Sequence, residues 1–211
     1  MDNSRLTKQI FIHDYTRALQ HRKGWNKEVK GILQSTGQED VFYGLGVENP
    51  KKVLQELKET LAQKEEEQLM KEINSMPKLR SYKEVKLNAG TEGYIKSNLD
   101  KYSRSLISKL RIGTLPINIE LGRYSKQPIE DRTCHHCRNK VETEKHFLLE
   151  CPLYEEERQK LFRLFQNKNN IDLKEVTPEE SFYLLLNVNN ISKQLAQMIQ
   201  NSLQKRQQLQ N

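Results

Sequence analysis

The sequence is poor in apolar side chains and has no long apolar run. Hydrophobic residues make up 35% of the 211 positions, against about 45–50% in an average globular domain. No run approaches the roughly 18 apolar residues that a transmembrane helix needs, and no apolar stretch follows Met-Asp-Asn-Ser-Arg at the N-terminus to make a secretory signal. We therefore expect an intracellular protein, in the nucleus or the cytoplasm, with no membrane partner.

Cysteine is also scarce, since the chain has three. An odd count argues against a disulfide framework. All three cysteines lie within residues 134–151. An intracellular chain with its cysteines confined in this way more often binds a metal ion than forms disulfides.

The spacing of these cysteines around one histidine predicts a structural zinc site. Cys134 and Cys137 are separated by two residues, His146 follows after eight, and Cys151 after four more. Three thiolates and one imidazole complete the tetrahedral ligand set of a closed zinc site. Four protein ligands leave no position for a catalytic water, so we expect zinc to be a structural cofactor.

The alternative interpretation is three buried free thiols beside an unrelated histidine. His135 and His136 are competing ligands, but both lie inside the tight turn between the first two cysteines, where we expect them to point outwards. His146 and Cys151 are five residues apart, about 500° along an ideal helix, so one helix cannot present both to a metal ion. Pro152 disfavours the α conformation at Cys151, and we expect the chain to turn back there.

The sequence carries 35 basic against 28 acidic side chains. Residues 78–126 hold eleven of the basic residues and only four acids, with tyrosines interleaved. This mixture suits RNA or DNA, because cations bind phosphates and aromatic rings stack on bases; the alternative is a solvated helical face. The residues predicted to contact nucleic acid are those nearest the zinc unit in sequence: Arg104, Lys109, Arg111, Arg123, Lys126, Arg132, Arg138, Tyr102 and Tyr124.

Helical periodicity dominates the rest of the chain. It predicts a mainly α fold, a multi-helix domain with a small zinc-organised insert. The predicted parts are a basic helical domain (1–126), a zinc-binding unit with its following helix (127–166), and a C-terminal helical hairpin with a frayed tail (167–211). Trp25 is predicted to lie in the core, Thr177 to cap a helix, and Val41–Tyr43 gives a weak strand signal.

Several segments carry a family resemblance. They are Lys78–Lys86, Leu106–Ile112, Ile119–Tyr124 and His146–Tyr154, with Arg5-Leu6 and Trp25–Leu33 as a weaker opening. This series resembles the C-terminal region of animal non-LTR (LINE-type) retrotransposon reverse transcriptases, in which a helical segment follows the polymerase domain and ends in a Cys-Cys-His-Cys zinc motif. The resemblance covers roughly residues 5–165 and is most specific over 104–154.

The resemblance implies binding of template RNA or target DNA, with Cys134, Cys137, His146 and Cys151 as metal ligands. The chain has neither a Tyr-x-Asp-Asp polymerase motif nor an endonuclease domain, so we expect a truncated element or a fragment put to another use. No catalytic constellation is present in the sequence, and we expect neither an enzyme nor a small-molecule substrate. The rival hypothesis is a zinc-stabilised helical module that binds a protein partner.

Overall fold

The regular structure is helical. The computed structural model describes residues 6–21, 24–43 and 49–209, and in these ranges the only β feature is an isolated antiparallel bridge between Thr133 and Val141. The α-helices are α1 (Leu6–His21), α2 (Trp25–Ser35), α3 (Glu39–Phe42), α4 (Pro50–Ser75), α5 (Tyr82–Val85), α6 (Gly93–Lys96), α7 (Lys101–Ile112), α8 (Asn118–Tyr124), α9 (Glu155–Asn169), α10 (Pro178–Asn187) and α11 (Ser192–Gln208). The predicted mainly α fold is confirmed. No helix in the described ranges is both long and apolar enough to cross a bilayer.

The chain divides into two compact units, residues 1–68 (unit 1) and 69–211 (unit 2). The division falls inside α4, well before the predicted boundaries at 126 and 166. The reason is that α11 packs against both α7 and α9. Residues 127–166 and the C-terminal helices therefore share one core with the basic helices of 78–126.

Unit 1 brings α1, α2 and α3 together through polar and aromatic contacts. The buried Asn26 donates hydrogen bonds to the Asp14 carboxylate (2.9 and 3.1 Å) and to the Phe11 carbonyl (3.0 Å). Trp25, predicted as core, is 59% exposed and touches Phe11 only by a ring edge. The strand signal at Val41–Tyr43 is wrong as well, since α3 ends at Phe42, whose ring packs against Phe11. Arg5 lies outside the described residues.

Unit 2 has a continuous apolar core into which the cysteine-histidine segment is built. Leu110 of α7, Phe165 of α9 and Ile199 of α11 are completely buried in it. Phe147 and Leu148, which follow His146 directly, are buried in the same cluster. The candidate metal site is therefore part of the main core of unit 2.

The ends of the helices follow their capping residues. The Asp100 carboxylate accepts the Ser103 amide at the start of α7, which ends at Gly113 in the left-handed conformation with φ of 72°. Thr177 caps α10 as predicted, because its hydroxyl accepts the Glu180 amide at 3.2 Å. The tail predicted to fray from Gln204 on is helical to Gln208, since Arg206 is buried.

Arg111, predicted as a phosphate contact, is a core residue with 1% of its surface exposed. Its guanidinium donates to the Glu92 carboxylate at 2.5 Å and to the Leu186 carbonyl at 2.6 Å. It also lies over the rings of Tyr82 and Tyr94. These partners join α7 to α6 and α10. The guanidinium, including its unpaired Nε, is buried out of reach of a nucleic-acid phosphate, so this assignment is corrected.

Replacing Arg111 by methionine should destabilise unit 2 by about 1–3 kcal/mol, because the buried Leu186 carbonyl loses its donor and Glu92 keeps only Lys86, at 2.8 Å, as a paired cation. Urea unfolding of the full chain measures the loss. Lys109→Met is the matched control, since Lys109 is exposed on the same helix and its loss should change stability by less than about 0.5 kcal/mol. Equal stabilities of the two variants would contradict the structural role of Arg111.

Candidate metal centre

Four side chains meet in the core of unit 2 with the ligand chemistry of a metal site. The ligand atoms of Cys134, Cys137, His146 and Cys151 all lie within 4.8 Å of one another. The Cys151 sulfur is 3.8 Å from each of the other two sulfurs, and all three thiols are free. Three soft sulfur ligands and one imidazole at this separation form a set that can hold a metal ion.

The first two ligands are presented by a tight turn. The Cys134 amide donates to the Lys140 carbonyl and the Arg138 amide to the Cys134 carbonyl, each at 2.8 Å. Arg138, directly after Cys137, closes the turn with φ of 60°. This left-handed backbone folds the chain back, so both sulfurs face the same side.

The last two ligands flank a single π-helical turn, His146–Glu150. The Thr143 hydroxyl accepts the His146 amide at 3.1 Å and thereby starts the turn. Cys151 leaves it in an extended conformation, with its amide bonded to the His146 carbonyl at 2.8 Å. The prediction that His146 lies on a short helix and that the chain turns back at Cys151 is confirmed.

The two ring nitrogens of His146 have different surroundings. Nδ1 is 3.4 Å from the Glu150 carboxylate, which also accepts Lys140 Nζ at 3.1 Å. Nε2 is buried and has no hydrogen-bond partner. A carboxylate at Nδ1 fixes the tautomer that leaves the Nε2 lone pair free, as in metal-bound histidines. Sequence reasoning missed Glu150, although its position four residues after His146 and one before Cys151 was a usable signal.

Burial controls the protonation of the ligands. It raises the pKa of the Cys151 thiol to about 12, raises the pKa of Cys137, and lowers the pKa of His146. At neutral pH this favours neutral thiols and a neutral imidazole. A bound cation must therefore displace thiol protons, so acidic conditions should weaken binding.

Two buried carboxylates hold the segment between the ligand pairs. Glu142 receives two hydrogen bonds of 2.9 Å from Arg206 of α11 and one from the Asn118 amide of α8. Glu144 is bound by Arg80 and by the Ser81 hydroxyl. These bonds fix the backbone that leads directly into His146.

The remaining predicted nucleic-acid residues differ in their exposure and partners. On α7, Lys109, Tyr102 and Arg104 are exposed, and Arg104 also donates to the Leu99 carbonyl at 2.7 Å. Arg132 is engaged by backbone carbonyls, those of Ile119 at 2.9 Å and Gln127 at 2.6 Å. It therefore orders the loop after α8, and its role as a phosphate contact stays a prediction.

Three predicted residues cluster at the end of α8, and a fourth lies in the metal-binding turn. Arg123 donates to Glu120 at 2.8 and 2.9 Å and lies over the exposed ring of Tyr124. Lys126 and Arg138 are exposed and adopt positive φ, at 56° and 60°. Lys126 and Arg138 thus occupy left-handed backbone positions, where glycine or asparagine is more common than a basic residue.

Cys151→Ser should lose the metal, because a serine hydroxyl is a poor ligand for zinc and the set then has only three of its four ligands. His135→Ala and His136→Ala should keep it, since both histidines are exposed. The metal content of each purified variant, measured by mass spectrometry, checks the ligand set. Loss of metal in His135→Ala would mean that His146 is the wrong histidine.

Comparison with protein families, with curated proteins and with solved structures finds no match to this chain. The family resemblance set out from the sequence therefore stays a prediction. Function has to be inferred from the geometry and charge of the chain itself.

Proposed function

We propose that unit 2 is a non-catalytic nucleic-acid-binding module whose fold is fixed by a structural zinc ion. Zinc is the metal that best suits three cysteine thiolates and one histidine. The orphaned Nε2 of His146 and the free thiols beside it supply the four ligands that a closed site needs. Bound zinc would hold the two halves of the segment together, and the ligands leave it no open position for a reaction.

The distribution of charge supports an anionic partner. Unit 1 contains eleven basic and eleven acidic side chains, whereas residues 69–211 contain 24 and 17. The whole surplus of seven therefore belongs to unit 2. A localised cationic surplus increases affinity for polyanions and the rate of encounter with them.

The observation that carries the proposal is the exposed face of α7. The helix contains no acidic residue. Lys101, Tyr102, Arg104 and Lys109 fall on one side of it and are all exposed, while Leu106, Ile107 and Leu110 face the core. In contrast, Lys160 of α9 is paired with an acid one turn away, Glu156, at 2.9 Å. An unbalanced basic face of this kind fits a phosphate backbone.

A second candidate function is protein binding. An apolar depression of about 240 Å³ runs between α9 and α11 and is lined by Leu161, Leu164 and Met198. Leu164 is exposed there. If the basic side chains prove irrelevant to nucleic acid, this groove is the feature that favours a helical protein partner.

Removing zinc with a chelator should increase amide hydrogen exchange across residues 130–165, because structural zinc supplies about 10–16 kcal/mol of apparent binding free energy in small motifs. The amides of α1 and α2 should keep their protection. Exchange followed by mass spectrometry compares the two regions, and one zinc ion per chain is expected before chelation. Unchanged protection over 130–165 would contradict a structural metal.

Replacing Lys101 and Lys109 together by glutamine should weaken binding to all nucleic-acid sequences alike, because backbone contacts carry no base information. Each lost contact should flatten the slope of log K against log salt by about 0.7 on single strands and about 0.9 on duplex. Titrations at several salt concentrations measure both effects. The matched control, Lys174→Gln with Lys193→Gln, removes equal charge from exposed sites of unit 2 outside α7. Equal losses in both double variants would contradict the α7 face.

A further inference from the structure

Tyr124 is the most exposed aromatic side chain among the described residues, with 69% of its surface accessible. It lies at the end of α8, where Ile119 and Gly122 are buried against unit 2. A tyrosine at such a position usually samples several rotamers. Here its ring has a cation over one face, since the Arg123 guanidinium carbon is 4.4 Å from the ring centroid.

Arg123 is itself held in place. Its Nε and Nη2 donate to the two oxygens of Glu120 at 2.9 and 2.8 Å, in the bidentate geometry that fixes a guanidinium plane. Glu120 is buried, and the hydrogen bonds from Arg123 keep the pKa of its carboxyl below the usual value, so the carboxylate stays charged. A buried anion therefore orients an arginine, and the arginine orients an exposed ring.

One ring face is covered and the high exposure leaves the opposite face to solvent. An oriented aromatic face open to water is a stacking platform for a nucleobase, and cation–π contact from arginine adds to such sites. Only a base outside a double helix offers both of its faces, because paired bases are already stacked on their neighbours. Lys126 follows two residues later and is exposed, so it can reach the phosphate of a stacked nucleotide.

The charge around the ring also favours stacking over a purely ionic contact. Glu130 and Asp131 are exposed in the 3₁₀ turn Ile129–Asp131, which packs against α8. Arg123 is engaged by Glu120, and Arg132 is engaged by backbone carbonyls. At this end of α8, an anionic strand would therefore meet chiefly the open face of the Tyr124 ring, with Lys126 beside it.

We infer that Tyr124 binds an unpaired base, with Arg123 and Glu120 as its positioning residues, so that this module selects single-stranded over duplex nucleic acid. The inference rests on the proposed nucleic-acid function and specifies its ligand. It also gives Arg123 a different role from the phosphate contact that its sequence position suggests. RNA and DNA single strands share the chemistry involved, and both are probes in the test.

The test uses the full zinc-loaded chain and short oligonucleotides that carry one 2-aminopurine, as single strands and as matched duplexes of RNA and of DNA. Stacking on Tyr124 should quench the 2-aminopurine fluorescence of the single strands. Tyr124→Leu should abolish the quenching and lower single-strand affinity roughly five- to 150-fold, with duplex affinity unchanged within about twofold. Tyr124→Trp should retain both signals.

The matched control is Tyr43→Leu, which removes an exposed tyrosine that also has a cation, Lys30, over its ring but belongs to unit 1, whose net charge is zero. It should change neither quenching nor affinity. Arg123→Gln separates the two roles of the arginine: a positioning residue lowers single-strand affinity at constant salt slope, whereas a phosphate contact flattens the slope by about 0.7.

Three outcomes overturn the inference. In the first, the parent chain binds single strands and duplexes in a salt-dependent manner and Tyr124→Leu binds them equally well. This would leave the proposed function intact and refute the stacking site. If Tyr124→Leu lost equal affinity for single strands and for duplexes, the proposed function would stand but the selectivity for single strands would be refuted. Absence of binding to any probe would refute the proposed function itself, and the stacking site with it.

Discussion

The segment that carries the four candidate metal ligands depends on two carboxylates that are buried with it. Glu142 and Glu144 are each 1% exposed, and an ionised carboxylate removed from water costs several kcal/mol unless it is paired and hydrogen-bonded. Arg206 and Arg80 provide those partners, and they lie near the two ends of the unit 2 sequence. The position of His146 is therefore set by residues distant in sequence as well as by the local spacing of the ligands.

The need to pair buried charges also explains why unit 2 buries arginines and exposes most of its lysines. Its buried guanidiniums, those of Arg111, Arg158 and Arg206, bond to carboxylates and to carbonyls. Arginine suits this role because its planar fork satisfies several acceptors at once. Each of these arginines faces a carboxylate, that of Glu92, Glu155 or Glu142, although Lys86 shares Glu92 with Arg111. The three arginines therefore contribute little to the surplus of charge. That surplus resides in exposed side chains, mostly lysines such as those of α7.

How much the sequence could predict depends on how local each signal is. The ligand spacing, the turn imposed by Pro152 and the Thr177 cap involve neighbours within a few residues, and all three agree with the structure. The burial of Arg111 could not be predicted in this way. Its partners, Glu92 and Leu186, lie 19 and 75 residues away along the chain, and local periodicity carries no information about such contacts.

Trp25 shows the opposite error, since a residue predicted to be buried is exposed. Its spacing from Val29 and Ile32 fits a helical apolar face, but the buried contact between α1 and α2 is made by Asn26. The hydrophobic pattern identifies which face of a helix is apolar. It does not show that a hydrogen-bonded side chain amide, here that of Asn26, lies at the contact between the two helices. In the same way, composition located the basic helices, but the pairing of Arg123 with Glu120 that orients Tyr124 needed the three-dimensional arrangement.

The pairing of Glu142 with Arg206 has a consequence for biosynthesis. The two residues are 64 positions apart, and ribosomes add roughly 5–20 residues per second. The Glu142 carboxylate therefore emerges on the order of 3–13 s before the arginine that neutralises it, and the ligands on either side of it emerge at about the same time as the carboxylate. In that interval the nascent segment carries thiols and an unpaired acid without the helix that buries them. Capture of a metal ion at that stage would order the segment before its core partner has been made.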